Sequence, residues 1–208
     1  MLATAAMRRA CTRTLCASPR VMRPTSQPPL SFDPSAKTAM DKQEPPAPGA
    51  DFRVVIVGAG NINFGSDEGP WNHSFRLEHK LGPRLKVVAL IDPDAERARR
   101  VLKTKCQSFV LSAYKDTVVY PTFKDYMASV CAETYPHAVW VGSPPAFRGG
   151  TEPGRNLEQL LTAGLPNVPL FIEKPVSTGA VDQTFEVAKM LEQNGSLVSV
   201  GYMLRYLK

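Results

Sequence analysis

Residues 53–60 read Arg-Val-Val-Ile-Val-Gly-Ala-Gly, a short β-branched run that stops at a pair of glycines. An apolar run without polar alternation suits a strand covered on both faces, as in a parallel sheet. Gly58 and Gly60 let the chain turn tightly and let its backbone approach a pyrophosphate, which would rest against the amides heading the next helix. A third small residue is expected three positions on, but that position holds Asn63; the next glycine is Gly65, and the polar stretch Ser66–Ser74 follows it. The spacing therefore predicts a loop longer than the usual fingerprint and a helix beginning around Pro70–His73. Taken alone, the glycine turn also fits an ordinary strand-to-loop connection or a methyltransferase.

Further runs of the same kind stand at Lys86–Ile91, Ala138–Gly142, Leu170–Glu173 and Leu197–Tyr202. Apolar stripes at helical spacing lie between them. These are Ala95, Ala98, Val101 and Leu102, then Phe123, Tyr126, Met127 and Val130. Leu157, Leu160 and Leu161, closed by Gly164, form a third; Phe185, Ala188 and Leu191, capped by Asn194–Gly195, form a fourth. Strand and helix in alternation predict an α/β chain with a doubly wound parallel sheet of Rossmann type. The stripes are core by default. Thr104–Thr117 reads either as the continuation of a helix or as a surface loop.

The second strand ends in Ile91-Asp92-Pro93-Asp94. An acid at that place accepts hydrogen bonds from ribose hydroxyls and repels a 2′-phosphate, so Asp92 favours NAD over NADP. It lies 34 residues beyond Gly58, against about 20 in the usual fingerprint, and the long Asn61–Trp71 loop accounts for much of the excess. The rival role, capping the following helix, falls better to Asp94.

Composition limits the partners. The chain has 208 residues, with 25 Lys or Arg, 19 Asp or Glu, a formal net charge of +6 and 19 prolines. The first fifty residues hold 7 of the basic residues, 3 of the acids and 8 of the prolines, with Phe32 as their single aromatic. Such a stretch buries too little apolar surface to offset its ordering entropy, so residues 1–50 are expected to form a disordered leader. Arg8, Arg9, Arg13, Arg20 and Arg23 all precede the first acid, Asp33. That is the composition of a mitochondrial transit peptide, so the expected location is cytoplasmic, or mitochondrial if the leader is such a peptide. No apolar run is long enough for a secretory signal or a membrane span, and no membrane partner is expected. Beyond residue 50 the net charge is only +2, without a basic stripe among aromatics, which argues against a nucleic-acid partner. Cys11, Cys16, Cys106 and Cys131 lack C-x-x-C spacing, and the histidines are His73, His79 and His137. Neither a disulfide framework nor a metal site is supported.

Three later segments complete the pattern. Residues 137–148 place Ser143-Pro144-Pro145 after a buried strand, residues 170–177 place Glu173-Lys174-Pro175 after the next, and residues 199–208 carry Gly201-Tyr202 and Arg205-Tyr206. In this order, with the glycine turn and Asp92, they resemble the Gfo/Idh/MocA family, which comprises glucose–fructose oxidoreductase, inositol dehydrogenase and related NAD(P)-dependent enzymes. The resemblance covers about residues 52–208, and Glu-Lys-Pro is its most specific part.

The resemblance implies hydride transfer between a nicotinamide cofactor, NAD with NADP as the alternative, and a hydroxyl or carbonyl of a sugar, cyclitol or diol. It places Gly58, Gly60, Asn61 and Ile62 at the pyrophosphate turn and Asp92 at the ribose. Ser143 and Pro144 would pass the ribose and nicotinamide, and Glu173 and Lys174 would stand beside the nicotinamide. Lys174 would be the catalytic group, bonding the reacting hydroxyl and steadying alkoxide charge. Arg205 matches an arginine leading to a second domain, and Arg148 replaces a histidine often found after the Pro-Pro segment. Residues 51–202 are thus expected to form the dinucleotide-binding domain and 203–208 the start of a linker to a second α/β domain that this chain lacks. Homo-oligomers are expected only with that domain. The family also includes a transcriptional repressor, so a truncated or non-catalytic nucleotide-binding module is the alternative.

Overall fold

The computed structural model describes residues 46–66 and 72–202. The expectations for the leader before residue 46, for Cys11 and Cys16, for Trp71, and for Arg205 in the 203–208 linker lie outside the described residues. Six parallel strands form one sheet: β1 (Phe52–Val57), β2 (Leu85–Ile91), β3 (Val118–Tyr120), β4 (Ala138–Val141), β5 (Leu170–Ile172) and β6 (Val198–Val200), in the spatial order β3-β2-β1-β4-β5-β6. The order reverses between β1 and β4, which is where an open parallel sheet presents a crevice at its carboxyl edge.

The helices are α1 (Asn61–Phe64), α2 (His73–Leu81), α3 (Ala95–Cys106), α4 (Leu111–Tyr114), α5 (Phe123–Met127), α6 (Leu157–Gly164) and α7 (Val181–Gln193). Successive residues of β1 point to opposite faces, and each face has its own core. Val54 and Ile56 join Leu85, Val87 and Leu90 against Leu77 of α2, Ala98 and Leu102 of α3, and Tyr114 of α4. Val55 and Val57 join Val139, Val141, Leu170 and Ile172 against Phe123 and Tyr126 of α5, Leu161 of α6, and Val187 and Leu191 of α7. The doubly wound α/β fold expected from the apolar runs is therefore the fold observed.

Four local features differ from the sequence reading. Val118–Tyr120 is an edge strand of three residues, too short to give a periodic signal of its own. The ambiguous Thr104–Thr117 segment divides into the end of α3, a turn and α4. In α6, Leu161 is fully buried while Leu160 is 48% exposed; in α7 the buried stripe is Val187 and Leu191, and Phe185 is 69% exposed. Packing against the sheet keeps Leu161 and Leu191 of the expected stripes inside, turns Leu160 and Phe185 outward, and brings Val187 in beside Leu191. Finally, α2 does begin at His73, with Asn72 as a cap whose side chain accepts from the Phe75 amide. The one-turn α1, however, starts directly after Gly60, so the glycine turn feeds a helix at once.

Candidate functional site

One row of residues just past the strands organises the carboxyl edge. The amide of Gly58 bonds the carbonyl of Ile91, that of Gly142 bonds Val57, and that of Glu173 bonds Val141; Asp92 and Gly201 bond Tyr120 and Ile172 in the same way. The ladder thus continues one residue beyond the sheet. Three of the row's five residues are glycines, and its two side chains, those of Asp92 and Glu173, border the crevice from fixed main-chain positions.

At the centre of the row, Gly58 has φ +97°, and a Cβ there would come within 3.0–3.2 Å of the main chain of Gly142 and Ser143. Both the dihedral and the space demand glycine. Asn63, the residue in place of the third glycine, is fully buried and donates from Nδ2 to the carbonyls of Val57 (3.1 Å) and Gly58 (2.7 Å). Its amide fills the space against Gly142, where any Cβ would overlap it. The departure from the fingerprint is therefore compensated by a glycine on the neighbouring strand end. At Gly60 a Cβ would meet nothing within 4 Å, so the turn opens outward.

Asp92 is 3% exposed. Its Oδ2 accepts from the Ala59 amide at 2.6 Å, and its Oδ1 accepts from the Asp94 amide at 2.8 Å and from Arg97 Nη2 at 2.9 Å. The carboxylate thus holds the glycine turn, the start of α3 and an arginine together. Asp94 caps α3 by accepting from the Arg97 amide at 2.9 Å, as expected from its position. Arg97 was not singled out by sequence, although it stands one helical turn after the cap, on the side that faces back to Asp92.

Glu173 is also buried. Its Oε2 lies 2.6 Å from His73 Nε2, and both side chains are almost wholly enclosed. An ionised carboxylate can only accept, so Nε2 carries the hydrogen and donates. Burial holds the His73 imidazole below its ordinary pKa, with Glu173 opposing that shift and Arg76 adding to it. His73 packs edge-on against Phe171, which stacks on Trp140 with ring centroids 4.1 Å apart. No local signal reveals this pair, because its members are a hundred residues apart in sequence. Lys174, the next residue, is exposed and precedes a cis peptide bond to Pro175.

Arg148 is 1% exposed. Its Nε donates to the Ser143 carbonyl and its Nη1 to the Val176 carbonyl, each at 3.0 Å, tying the Ser-Pro-Pro loop to the segment after Glu-Lys-Pro. Burial lowers its pKa, and Glu158 and Glu173 oppose that. Glu158 is itself buried and pushed up by burial, and it accepts from the Gly149 amide at 2.8 Å.

These groups converge. Gly58, Gly60, Ile62, Asp92, Ser143, Pro144, Glu173 and Lys174, together with Arg97, Gly142, Pro145 and Arg148, line one groove of about 380 Å³. Asn61, which heads α1, is exposed and does not line it. A second groove of about 400 Å³ shares Gly58, Asp92, Arg97, Ser143 and Pro144, and continues over Pro93, Pro121, Phe123, Phe147 and Leu157. The result is a long trough with an apolar end, a glycine turn at its middle and a lysine at its far end. The buried Ser143 hydroxyl oxygen has no partner among the described residues and lies in this lining. An elongated ligand with a flat base at one end and polar groups along its length fits that donor set. No cluster of three His, Cys, Asp or Glu side chains suited to a metal occurs among the described residues. No helix among them is long and apolar enough to cross a membrane.

A parallel sheet of this order, with a glycine turn at the switch point and an acid ending the second strand, defines a dinucleotide-binding Rossmann domain. The chain belongs to the GFO_IDH_MocA oxidoreductase family with an NAD-binding Rossmann fold, whose profile matches residues 52–202. It is 44% identical over 162 residues to the Uncharacterized protein C12C2.04 of Schizosaccharomyces pombe, covering 77% of this chain and 42% of that relative. The chain therefore spans about two fifths of the length of a curated relative that it matches. Among solved structures it is similar in fold to the WlbA dehydrogenase of Chromobacterium violaceum, crystallised with NADH and UDP-GlcNAcA. That match has a TM-score of 0.51 and 16% identity, and covers 76% of this chain and 37% of the other. It is similar also to a super-repressor mutant of Gal80p from Saccharomyces cerevisiae, with a TM-score of 0.50 and 18% identity, covering 72% of this chain and 34% of the other.

Proposed function

We propose that this chain supplies the cofactor-holding part of an NAD(P)-dependent oxidoreductase acting on a hydroxyl or carbonyl of a sugar, cyclitol or diol. The observation that carries the reading is the single trough that gathers the glycine turn, Asp92, Ser143 and Lys174. A bound nicotinamide would supply the hydride donor or acceptor. Gly58, whose own amide bonds Ile91, would let the main chain approach the pyrophosphate, Gly60 and Ile62 would offer it main-chain amides, Asp92 would accept from a ribose hydroxyl, and Ser143 and Pro144 would meet the nicotinamide half. Lys174 has three donors and a positive charge at the open end of the trough. It would orient a substrate hydroxyl and hold negative charge as its proton leaves. Glu173, committed to His73, would fix the main chain from which Lys174 projects.

Lys174 is exposed, whereas hydride transfer needs a substrate held about 3–3.5 Å from the nicotinamide in a water-poor site. That exposure supports a second reading for the chain by itself, a dinucleotide-binding module without turnover. Titrating NADH into the 208-residue chain and following nicotinamide fluorescence tests the common part. A saturable change is expected, unaltered in Lys174→Ala; no saturable change at millimolar NADH would overturn the dinucleotide reading.

A further inference from the structure

We infer that the free edge of β6 pairs with β6 of a second copy of this chain, antiparallel about a two-fold axis at Ser199, an association that needs no second domain. It is independent of the dinucleotide reading above. The sheet has two outer strands, and they are protected differently. β3 follows Lys115 and Asp116 and runs into Pro121, and charges and prolines of this kind keep an edge from pairing with other chains. Around β6, neither a charged residue nor a proline occurs from Gln193 to Leu204. That edge carries Leu197-Val198-Ser199-Val200, with Leu197 72% exposed and Ser199 exposed. Among the described residues β5 is its single strand neighbour. An uncharged, β-branched edge is a template for another strand.

The main chain decides which strand fits. The Leu170 amide bonds the Leu197 carbonyl and the Gly201 amide bonds the Ile172 carbonyl, both at 2.9 Å. Residues 197, 199 and 201 thus turn their main-chain groups to β5, and the N–H and C=O of Val198 and Val200 face outward. The Val200 carbonyl takes the Tyr202 amide at 2.8 Å and keeps its second lone pair. In an antiparallel ladder, opposed residues that exchange hydrogen bonds alternate with opposed residues that do not. Centring the axis on Ser199 sets Val198 opposite Val200 of the copy and Val200 opposite its Val198. Both outward-facing residues of each chain then make hydrogen-bonded pairs, and each valine meets a β-branched neighbour across the join. Ser199 meets its own copy in the non-bonded position, where Cα atoms come within about 4.5 Å and a small side chain fits. Leu197 falls opposite Gly201, which has no side chain to oppose it. Centring on either valine instead leaves the other with no strand residue opposite. The Val-Ser-Val strand is therefore self-complementary in one register.

The join is short, and interfaces of less than about 1,200 Å² belong to weak, reversible complexes. In sedimentation equilibrium of the full 208-residue chain, the average mass is expected to rise from that of one chain towards that of two between about 10 and about 500 μM. Ser199→Lys places two ammonium groups opposite each other across the axis and is expected to weaken association by roughly tenfold or more. Its urea midpoint should be unchanged, because Ser199 is exposed, and Ser199→Thr should associate as before. Ser199→Cys reads the register, since a non-bonded pair brings the two thiols within disulfide reach. Under oxidised glutathione this variant is expected to cross-link roughly tenfold faster than Ser108→Cys, whose thiol lies on the exposed turn between α3 and α4. A chain that keeps the mass of one up to about 500 μM overturns the pairing. So does a dimer that Ser199→Lys leaves intact, or equal cross-linking rates at the two positions. If Ser199→Lys lowers the midpoint, the cross-linking rates decide.

Discussion

Two carboxylates close strands on either side of the switch point, Asp92 after β2 and Glu173 after β5, and they are held by opposite means. Both are buried at the same height on the sheet's carboxyl edge, and both line the trough. Every partner of Asp92 is a fixed donor: two main-chain amides and a guanidinium. The partner of Glu173 is an imidazole, whose ring nitrogen can donate or accept. The first acid is therefore part of the turn's framework, whereas the second belongs to an adjustable pair.

Isosteric amides should separate the two sharply. Asp92→Asn must turn an N–H toward the Ala59 amide or toward Asp94 and Arg97, leaving donors facing donors, and should cost about 2–4 kcal/mol in urea unfolding. A loss below about 1 kcal/mol would show that the Asp92 contacts are not structural. Gly142→Ala probes the ground between the two acids. Its methyl must displace the Asn63 amide from the Val57 and Gly58 carbonyls, at about 2–3 kcal/mol for the buried groups left unpaired. The same change should weaken NADH binding while leaving the His73 NMR signals unmoved; a shift in those signals would join the two halves of the edge.

Glu173→Gln should be far milder, within about 1 kcal/mol, because the imidazole can switch tautomer and accept from the new amide. The smallest effect is in pH dependence. His73 is held below its ordinary value by burial, so the unfolded chain takes up the proton first. The stability due to neutral His73 is therefore complete above about pH 6.5 and is lost as pH falls through its lower folded value. His137, also lowered by burial and by Arg53, contributes with the same sign. Following the His73 ring protons by NMR should give a midpoint below the ordinary histidine value, and lower still in Glu173→Gln, where the opposing carboxylate is gone. A midpoint at or above the ordinary value would mean that the ion pair outweighs burial.

The sequence by itself determined the layers and much of the edge. Continuous Val-Ile runs read as strands covered on both faces, and Gly58, Asp92, Ser143 and Lys174 could be placed at strand ends because the first two residues after a buried strand are positions that local sequence identifies. Asp94 as the α3 cap was legible for the same local reason. The tertiary structure decided everything that depends on two strand ends meeting. Asn63 could be read only as a departure from a glycine pattern until Gly142 stood beside it. The short β3 exists because β2 offers an edge, since three residues have no periodicity to read. Above all, the state of each acid was set across the fold: His73 reaches Glu173 from a hundred residues away, and Arg97 reaches Asp92 only once α3 has wound a turn. Local sequence fixes where a charge sits along the chain, but which partner satisfies it is a property of the space the packed elements enclose.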